Sequence, residues 1–263
     1  MKVDFHVHTC RSVDAVHSPR QVVKHAKKLG LDAIAITDHN RLFPHAEARR
    51  LSREFGLLVI SGMEGGNIAV RKHWIGLGIS RPFESPSIDA VLSFIRNEGA
   101  VSVAPHPHTR LGYTDYADLG FDAVESLNGS EPKANTLVKN IKNIPELAGS
   151  DAHALPMMGY TWTSVEADGT LDSVLEAVRH GRCAPRGTTI PLLDLLRFCP
   201  LYIRHRILSE PGAALSRACR VVRDIRALGT GESPCTAVEY PRIQGEQHPS
   251  PSRSIPAGPL DRC

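Results

Sequence analysis

The sequence predicts an α/β protein with a largely parallel β-sheet, either open or closed into a barrel. Two observations predict this class. Short apolar runs typical of strands alternate with amphipathic segments typical of helices from residue 2 to about residue 181, and most links between them are short. In addition, histidine or carboxylate side chains follow the carboxyl ends of nearly all predicted strands, where the active sites of α/β proteins collect.

The first part of the chain has a β-α-β order. The segment from Lys2 to Val7 has the pattern of a strand, and a helix is predicted from Pro19 to Leu29. Ser18 provides the N-cap of this helix and Gly30 its stop signal. The order continues with a strand at 32–37, a helix at 45–55 and a strand at 57–62.

The regular order is interrupted after this unit. The apolar segments NIAV (67–70) and HWIGLGI (73–79) are separated by only two residues, which predicts a β-hairpin. The alternation then resumes, with helices predicted at 87–99, about 132–141 and 171–181, and strands at 100–105, 121–126, 146–149 and 161–166.

The composition of the chain changes beyond Gly187. We expect residues 1–187 to form one domain, and residues 188–228 to form a helical C-terminal extension with arginines at positions 217, 220, 223 and 226. Residues 229–263 are rich in Gly, Pro and Ser, which predicts a disordered tail.

The overall composition is that of an ordinary globular protein. The 263 residues are 41% hydrophobic and 22% charged, and the formal net charge of +3 is too small to indicate nucleic-acid binding by itself. The N-terminus has no basic region followed by a long apolar segment, and no apolar run has the length that crosses a bilayer. We therefore expect a cytoplasmic location and no membrane partner, while stable nucleic-acid binding and the oligomeric state stay open.

The first histidines of the chain lie in the motif DFHVH. Because side chains alternate along a strand, Asp4, His6 and His8 are expected on one face, with Phe5 and Val7 on the other. A single His-x-His pair arises easily by chance, but similar residues recur at the end of nearly every predicted strand. The further candidate ligands are Asp14, His39, Glu64, His73, His106, Asp151 and His153.

These residues supply imidazole nitrogen and carboxylate oxygen, and the six cysteines include no CxxC pair. Such donors suit Zn²⁺, Mn²⁺ or Fe²⁺. The candidate ligands are too many for one ion, so two or three divalent metal ions are predicted. Clusters of this kind usually activate a bridging water for hydrolysis.

At this point the sequence resembles the polymerase and histidinol phosphatase (PHP) family of metal-dependent phosphoesterases. The resemblance covers about residues 1–186 and implies a distorted barrel of seven β/α units, with a trinuclear metal site at the carboxyl ends of the strands. It is carried by DFHVHT with Asp14, ITDHN, GMEGG, HWIGLGI, HPH, ESLNG and GSDAH.

The resemblance implies three groups of metal ligands, with Glu64 bridging two ions. In some relatives another histidine follows the strand that ends here near Asn128, so the third metal would be held more weakly in this chain. The metal that His153 serves stays open. The three groups are His6, His8, Glu64 and Asp151; Asp14, His39 and His153; and His73 with His106.

The implied mechanism is attack on phosphorus by a metal-bridging hydroxide, with the metals neutralising phosphate charge. Two further residues are candidate catalytic residues. Arg110, in the segment HPHTRLG, is placed to clamp a phosphate, and Asp38 to orient a neighbouring ligand.

The resulting hypothesis is a small stand-alone phosphoesterase that acts on a nucleotide or a short oligonucleotide. Histidinol phosphate is the alternative substrate, because the same motifs would serve it. Amidohydrolases also begin with His-x-His, but they normally need a bridging lysine where this chain has Glu64 and histidines. The alternative in which the protein is not an enzyme is a metal-binding regulatory module with a basic C-terminal extension.

Overall fold

The computed structural model describes residues 1–12, 14–66, 72–132, 135, 144–191 and 194. They form a mixed α/β fold around one nine-stranded sheet. The strands are β1 (Lys2–Val7), β2 (Ala33–Ile36), β3 (Leu58–Gly66), β4 (His73–Leu77), β5 (Val101–Ala104), β6 (Ala123–Asn128), β7 (Glu146–Gly149), β8 (Thr161–Val165) and β9 (Cys183–Gly187). The helices are α1 (Pro19–Lys28), α2 (His45–Phe55), α3 (Ile88–Asn97), α4 (Tyr116–Leu119) and α5 (Leu171–Arg179), with a 3-10 helix at Leu155–Met157.

The sheet contains two blocks of parallel strands. The strand order is β7-β6-β5-β4-β3-β2-β1-β8-β9. Parallel pairing joins β1 to β2 and β2 to β3, and again β5 to β6 and β6 to β7. Between the blocks, β4 runs antiparallel to both neighbours, and β8 and β9 are antiparallel additions beyond β1. The predicted parallel sheet is therefore found within each block.

The sheet curves into a nearly closed barrel because β1 meets the chain that follows β7. The Asp151 backbone N–H donates to the His6 carbonyl at 2.8 Å, and the His8 N–H donates to the Ala152 carbonyl at 3.0 Å. At the other end of β1, β8 lies beside it, and the Thr163 hydroxyl accepts from the Ala148 N–H at 2.7 Å. This closure brings the residues after β1 and after β7 together.

The reversed strand β4 also contributes to the same rim of the barrel. Because β4 is antiparallel to β3, its first residue, His73, pairs with Gly66, the last residue of β3. The beginning of β4 therefore lies at the rim where the parallel strands end, and His73 joins residues that follow the carboxyl ends of those strands.

The helices follow the local signals in the sequence. The Ser18 hydroxyl accepts from the Gln21 N–H at 3.3 Å, and the Gln21 side chain accepts from the Ser18 N–H at 2.9 Å, which is a capping box at the start of α1. Gly30 follows α1 with a φ of 71°, in the left-handed region that favours glycine. The predicted bounds of β1 and α2 are confirmed. Among the described helices, none is long and apolar enough to cross a membrane.

Several predicted elements differ from the structure. β3 continues to Gly66 and pairs directly with β4, so β3 itself forms the first arm of the hairpin. Sequence patterns missed α4, a helix of only four residues, and β9, whose sequence CAPRG lacks apolar alternation and which pairs with β8. The predicted strand 67–70, most of the predicted helix 132–141 and the chain beyond 194 lie outside the described residues.

The chain stays packed on the barrel for a few residues after the predicted domain boundary at Gly187. Ile190 is buried in the apolar cluster beneath α1 and α2, and its N–H donates to the Gly129 carbonyl at 2.9 Å. The first residues of the predicted extension are thus continuous with the barrel.

Close packing beneath the rim depends on a glycine in β3. A Cβ atom at Gly65 would lie 2.1 Å from the indole ring of Trp74, a side chain with 1% exposure. At the adjacent Gly66 the nearest atom to such a Cβ would be 3.7 Å away, which is ordinary contact. A Cβ atom would therefore clash at Gly65 but fit at Gly66.

We expect Gly65→Ala to lower the free energy of unfolding by about 1–3 kcal/mol, because the added methyl group overpacks the Trp74 site. Gly66→Ala is the matched control and should leave stability unchanged or slightly raised. Urea denaturation in the presence of a chelator measures both. Equal stability of the two variants would contradict the packing argument.

Candidate metal centre

The candidate ligands assemble at one rim of the barrel, although they come from segments far apart in the sequence. Seven of them are buried, and His39 and His73 are partly exposed. The side chains brought together are His6, His8, Asp14, His39, Glu64, His73, His106, Asp151 and His153.

The deepest group joins His6, His8, Glu64 and Asp151. The two histidine Nε2 atoms are 3.1 Å apart. Each lies 3.3 or 3.4 Å from Glu64 Oε2 and from Asp151 Oδ1. A tetrahedron with ligands about 2.0–2.1 Å from its centre has edges of about 3.3–3.4 Å. The five distances are close to this edge length, and His6, His8 and Asp151 place three ligand atoms as close together as a single cation requires.

A second group surrounds Asp14. Its Oδ2 atom lies 3.3 Å from His39 Nε2 and 3.5 Å from His153 Nε2. The other nitrogen of His39, Nδ1, lies 2.9 Å from Glu64 Oε2. The imidazole of His8 stacks on that of His153, with ring centroids 4.3 Å apart. The second group is therefore in direct contact with the first.

A third group uses the remaining oxygen of Glu64. Its Oε1 atom lies 2.8 Å from His73 Nδ1 and 3.0 Å from His106 Nε2. Both oxygens of one buried carboxylate thus face histidine nitrogens, and Glu64 links all three groups. Each oxygen of Glu64 is therefore placed among imidazoles from a different group.

A hydrogen-bonded chain sets the orientation of His8. The Ser12 hydroxyl donates to Asp38 Oδ1 at 3.1 Å and accepts from the His39 N–H at 2.9 Å. Its single hydrogen is used by Asp38, so the contact of 3.2 Å with His8 requires Nδ1 of His8 to be the donor. The lone pair on Nε2 then faces the cluster, as a metal ligand requires.

Three other histidines are held in the same way. In each, Nδ1 contacts an oxygen that can accept its hydrogen, and Nε2 is left facing the cluster. The pairs are His6 with Glu125 Oε1 at 3.0 Å, His106 with Thr109 Oγ1 at 3.3 Å, and His153 with the Asp151 carbonyl at 3.0 Å. Nitrogen lone pairs that converge in this way repel one another unless a cation lies among them, so the donor set fits a metal.

The electrostatics of the cluster favour bound cations. Burial by itself raises the pKa of the Glu64 carboxyl, but the surrounding histidines lower it well below its ordinary value. The pKa of Asp151 is lowered well below its ordinary value by His6 and His8 against the effect of burial. Burial opposes protonation of His6, yet the nearby carboxylates Asp151 and Glu125 raise its pKa well above normal. The raised pKa means that the carboxylates favour a positive charge at His6. A divalent cation bound at the cluster supplies such a charge without protonation of the ring.

The backbone is strained at two of the ligands. His106 has a φ of 30° and Asp151 a φ of 51°, a region that residues other than glycine rarely occupy. Close approach also requires a glycine here, because a Cβ at Gly149 would lie 2.4 Å from Glu125 Oε1 and 2.5 Å from His6 Cβ. Placing these side chains at the rim therefore requires two unfavourable backbone conformations and one residue without a Cβ atom.

The two candidate catalytic residues lie outside the cluster. Asp38 accepts from the Thr9 N–H at 2.6 Å, the Thr9 hydroxyl at 2.8 Å and the Ser12 hydroxyl. It therefore positions the loop after β1 and acts on His8 through Ser12. Arg110 is exposed, in the loop after β5 that also contains His106. Its role as a phosphate clamp stays a prediction.

Sequence reasoning did not assign two residues that support the ligands, Ser12 and Glu125. Glu125 lies within β6, and the sequence placed it near the end of the predicted strand 121–126 without assigning it a role. Ser12 gave no such signal, because it lies in a loop. The amide of Asn128, the residue expected to weaken the third metal site, contacts Glu125 and Asp151.

Comparison with known proteins agrees with this geometry. The family model described as "PHP domain" matches residues 4–152, and the model described as "PHP-associated" matches residues 134–183. An uncharacterized protein of Methanocaldococcus jannaschii is 32% identical over 167 residues, which is 56% of this chain and 96% of that protein.

Two further similarities are a sequence match to a short segment of a polymerase and a structural superposition. A PolC-type DNA polymerase III of Caldanaerobacter subterraneus is 48% identical over 65 residues, which is 24% of this chain and only 5% of the polymerase. A two-domain protein of Bacteroides vulgatus, described as containing a predicted PHP-like metal-dependent phosphoesterase, superposes with a TM-score of 0.58 at 25% identity. The superposition covers 78% of this chain and 69% of that structure.

We expect added Mn²⁺ or Zn²⁺ to raise the melting temperature, because an ion that binds only the folded state stabilises it by mass action. The stabilisation is about 2.7 kcal/mol at 100 times the dissociation constant. The shift should be much smaller in His6→Ala and unchanged in His180→Ala, which removes an exposed histidine at the end of α5. An equal shift in all three proteins would show that the metal binds elsewhere.

The chain from Asp38 through Ser12 to His8 makes a second prediction. Ser12→Ala and Asp38→Asn should each weaken metal affinity by about 10-fold or more, and the double variant should be no worse than the weaker-binding single variant. Isothermal titration measures the dissociation constants. Ser102→Ala is the control, because its buried hydroxyl donates to Asp122 at the opposite end of β5. Additive losses would contradict transmission through Ser12.

Proposed function

Because this chain belongs to the PHP domain family, we propose that it hydrolyses phosphate esters in a metal-dependent reaction, with a nucleotide or a short oligonucleotide as substrate. One observation carries the proposal. Both oxygens of the buried Glu64 carboxylate lie 2.8–3.4 Å from the ring nitrogens of five histidines. Such an arrangement serves neighbouring metal ions better than a single structural ion, because structural sites usually have four ligands in a closed shell.

The donor set favours two or three ions of Zn²⁺, Mn²⁺ or Fe²⁺. The deepest ion would be held by the group around His6 and His8, and the others by the groups around Asp14 and Glu64 Oε1. Divalent ions in such clusters generate a nucleophile from water at neutral pH and neutralise charge on a phosphoryl group.

The residues of the chain itself perform three tasks in this proposal. The carboxylates Glu64 and Asp151 stay ionised despite burial, so they supply negative charge to the centre. Hydrogen bonds donated by Nδ1 keep four of the imidazoles in the tautomer that binds through Nε2, those of His6, His8, His106 and His153. Arg110, exposed beside the rim, would contact substrate phosphate oxygens through its guanidinium group.

The choice of substrate class rests on similarity. The matching segments of proteins named DNA polymerase III PolC-type and error-prone DNA polymerase favour a nucleotide or oligonucleotide over other phosphate esters. Each of these matches covers less than a third of this chain and at most 6% of the polymerase, so they bear on the class of substrate and we propose no polymerase activity.

We expect the metal-loaded protein to release phosphate or nucleotide from a panel of nucleotides, short RNA and DNA strands and generic phosphate esters. His6→Ala should reduce kcat by more than the roughly 10–100-fold typical of losing an outer partner of a metal ligand. Arg110→Ala should chiefly raise KM, and Arg53→Ala, which removes an exposed arginine of α2, should change neither constant.

The same panel separates the alternatives. Turnover of histidinol phosphate alone would replace the nucleotide proposal with the histidinol phosphatase alternative. Metal binding without turnover of any phosphate ester would contradict the enzyme proposal and favour a metal-binding regulatory module.

A further inference from the structure

The buried carboxylate of Glu125 connects two ligands of the candidate metal centre without facing the metal positions itself. Its Oε1 atom accepts from Nδ1 of His6 at 3.0 Å, and its Oε2 atom accepts from the backbone N–H of His106 at 2.8 Å. Glu125 has only 2% exposure. One carboxylate within β6 thus holds a ligand from β1 and a ligand from the loop after β5.

Asn128, at the end of the same strand, completes the arrangement. Its Oδ1 atom accepts from the N–H groups of Ser130 at 2.8 Å and Glu131 at 3.0 Å. Because two donors hold this oxygen, the amide cannot turn over, and Nδ2 must face the carboxylates. Nδ2 donates to Glu125 Oε2 at 2.8 Å and to Asp151 Oδ2 at 3.3 Å.

The contact with Asp151 leaves that ligand one oxygen for the centre. Oδ2 is engaged by the amide of Asn128, whereas Oδ1 lies 3.3–3.4 Å from the Nε2 atoms of His6 and His8. The amide also separates two carboxylates, Glu125 and Asp151, that would otherwise repel each other in a buried environment. Asp151 lies in a strained backbone conformation, and the contact with Asn128 helps to hold its side chain in this orientation.

We propose that Glu125 and Asn128 act as a positioning pair that sets the affinity of the His6–His8–Glu64–Asp151 group for its metal. Glu125 fixes the tautomer and ring orientation of His6, and Asn128 fixes which oxygen of Asp151 faces the cluster. The proposal rests on metal binding at this group and not on phosphate ester hydrolysis, so it is tested without an activity assay.

Glu125→Gln is the sharpest test because the two side chains have nearly the same shape. The oxygen of the new amide has to accept from the His106 N–H and from Asn128, so its NH₂ group faces His6. Nδ1 of His6 must then accept a hydrogen bond, which places the proton on Nε2 and blocks that nitrogen as a ligand. The variant should weaken binding of one metal by about 10–100-fold without unfolding the protein.

The measurement is titration with Zn²⁺ against a chromophoric chelator, together with the visible spectrum of the Co²⁺-loaded protein. We expect Glu125→Gln to raise one dissociation constant and alter the Co²⁺ bands. Asn128→Ala should do the same to a smaller extent, and the double variant should bind more weakly than Glu125→Gln because Asn128 also acts on Asp151.

Asp122→Asn is the matched control. This carboxylate immediately precedes β6 and accepts from the N–H and hydroxyl of Ser102, at the end of the strand pair away from the cluster. The control should lower stability and leave the metal dissociation constants and the Co²⁺ spectrum unchanged. Wild-type metal binding in Glu125→Gln, or an equal loss in Asp122→Asn, would overturn the proposal.

A measurement on the wild-type protein keeps the test independent of folding defects in the variants. Nitrogen-15 chemical shifts of the histidine side chains in the Zn²⁺-loaded protein should show His6 with its proton on Nδ1 and its metal contact at Nε2. The reverse assignment would contradict the role of Glu125 whether or not the protein hydrolyses any phosphate ester.

Discussion

The Glu64 carboxylate lies inside the barrel with 1% of its surface exposed, and five histidines surround it. A charged group removed from water is costly unless opposite charge or hydrogen-bond donors compensate it. Here the compensating groups are imidazoles, which can carry protons or hold metal ions. The rest of the site follows from this constraint, because every histidine near Glu64 has to be held at a distance and in a tautomer that makes the compensation possible.

The curvature and closure of the barrel determine the distances between the candidate ligands. Closure between β1 and the chain after β7 places His6 and His8 against Asp151, and the reversed strand β4 brings His73 to the same rim. Glycines at close contacts allow the side chains to approach. Gly149 is the clearest case, since any side chain there would collide with both His6 and Glu125. The approach of these ligands therefore depends on strand pairing and on glycine at the close contacts.

Hydrogen bonds from residues outside the cluster determine the tautomers of the histidine ligands and the orientation of Asp151. Ser12 and Asp38 direct His8, Glu125 directs His6, and Asn128 directs Asp151 through its amide. These outer partners touch no metal position, yet each determines which atom of a ligand is available to a cation. The same logic accounts for buried polar residues such as Ser12 and Glu125, which serve as hydrogen-bond partners of ligands.

Much of this molecule was predictable from its sequence because local patterns depend on neighbouring residues. The capped helix α1, the buried strand β1 and the recurrence of histidines and carboxylates at strand ends all follow from residue types a few positions apart. The kinds of donor atom at the rim, imidazole nitrogen and carboxylate oxygen, followed as well. The tertiary structure alone decided the reversal of β4, the pairing of β9, and the roles of Ser12, Glu125 and Asn128. Those roles depend on contacts such as the one between His6 and Glu125, 119 residues apart, which form only when the sheet curves and closes on itself.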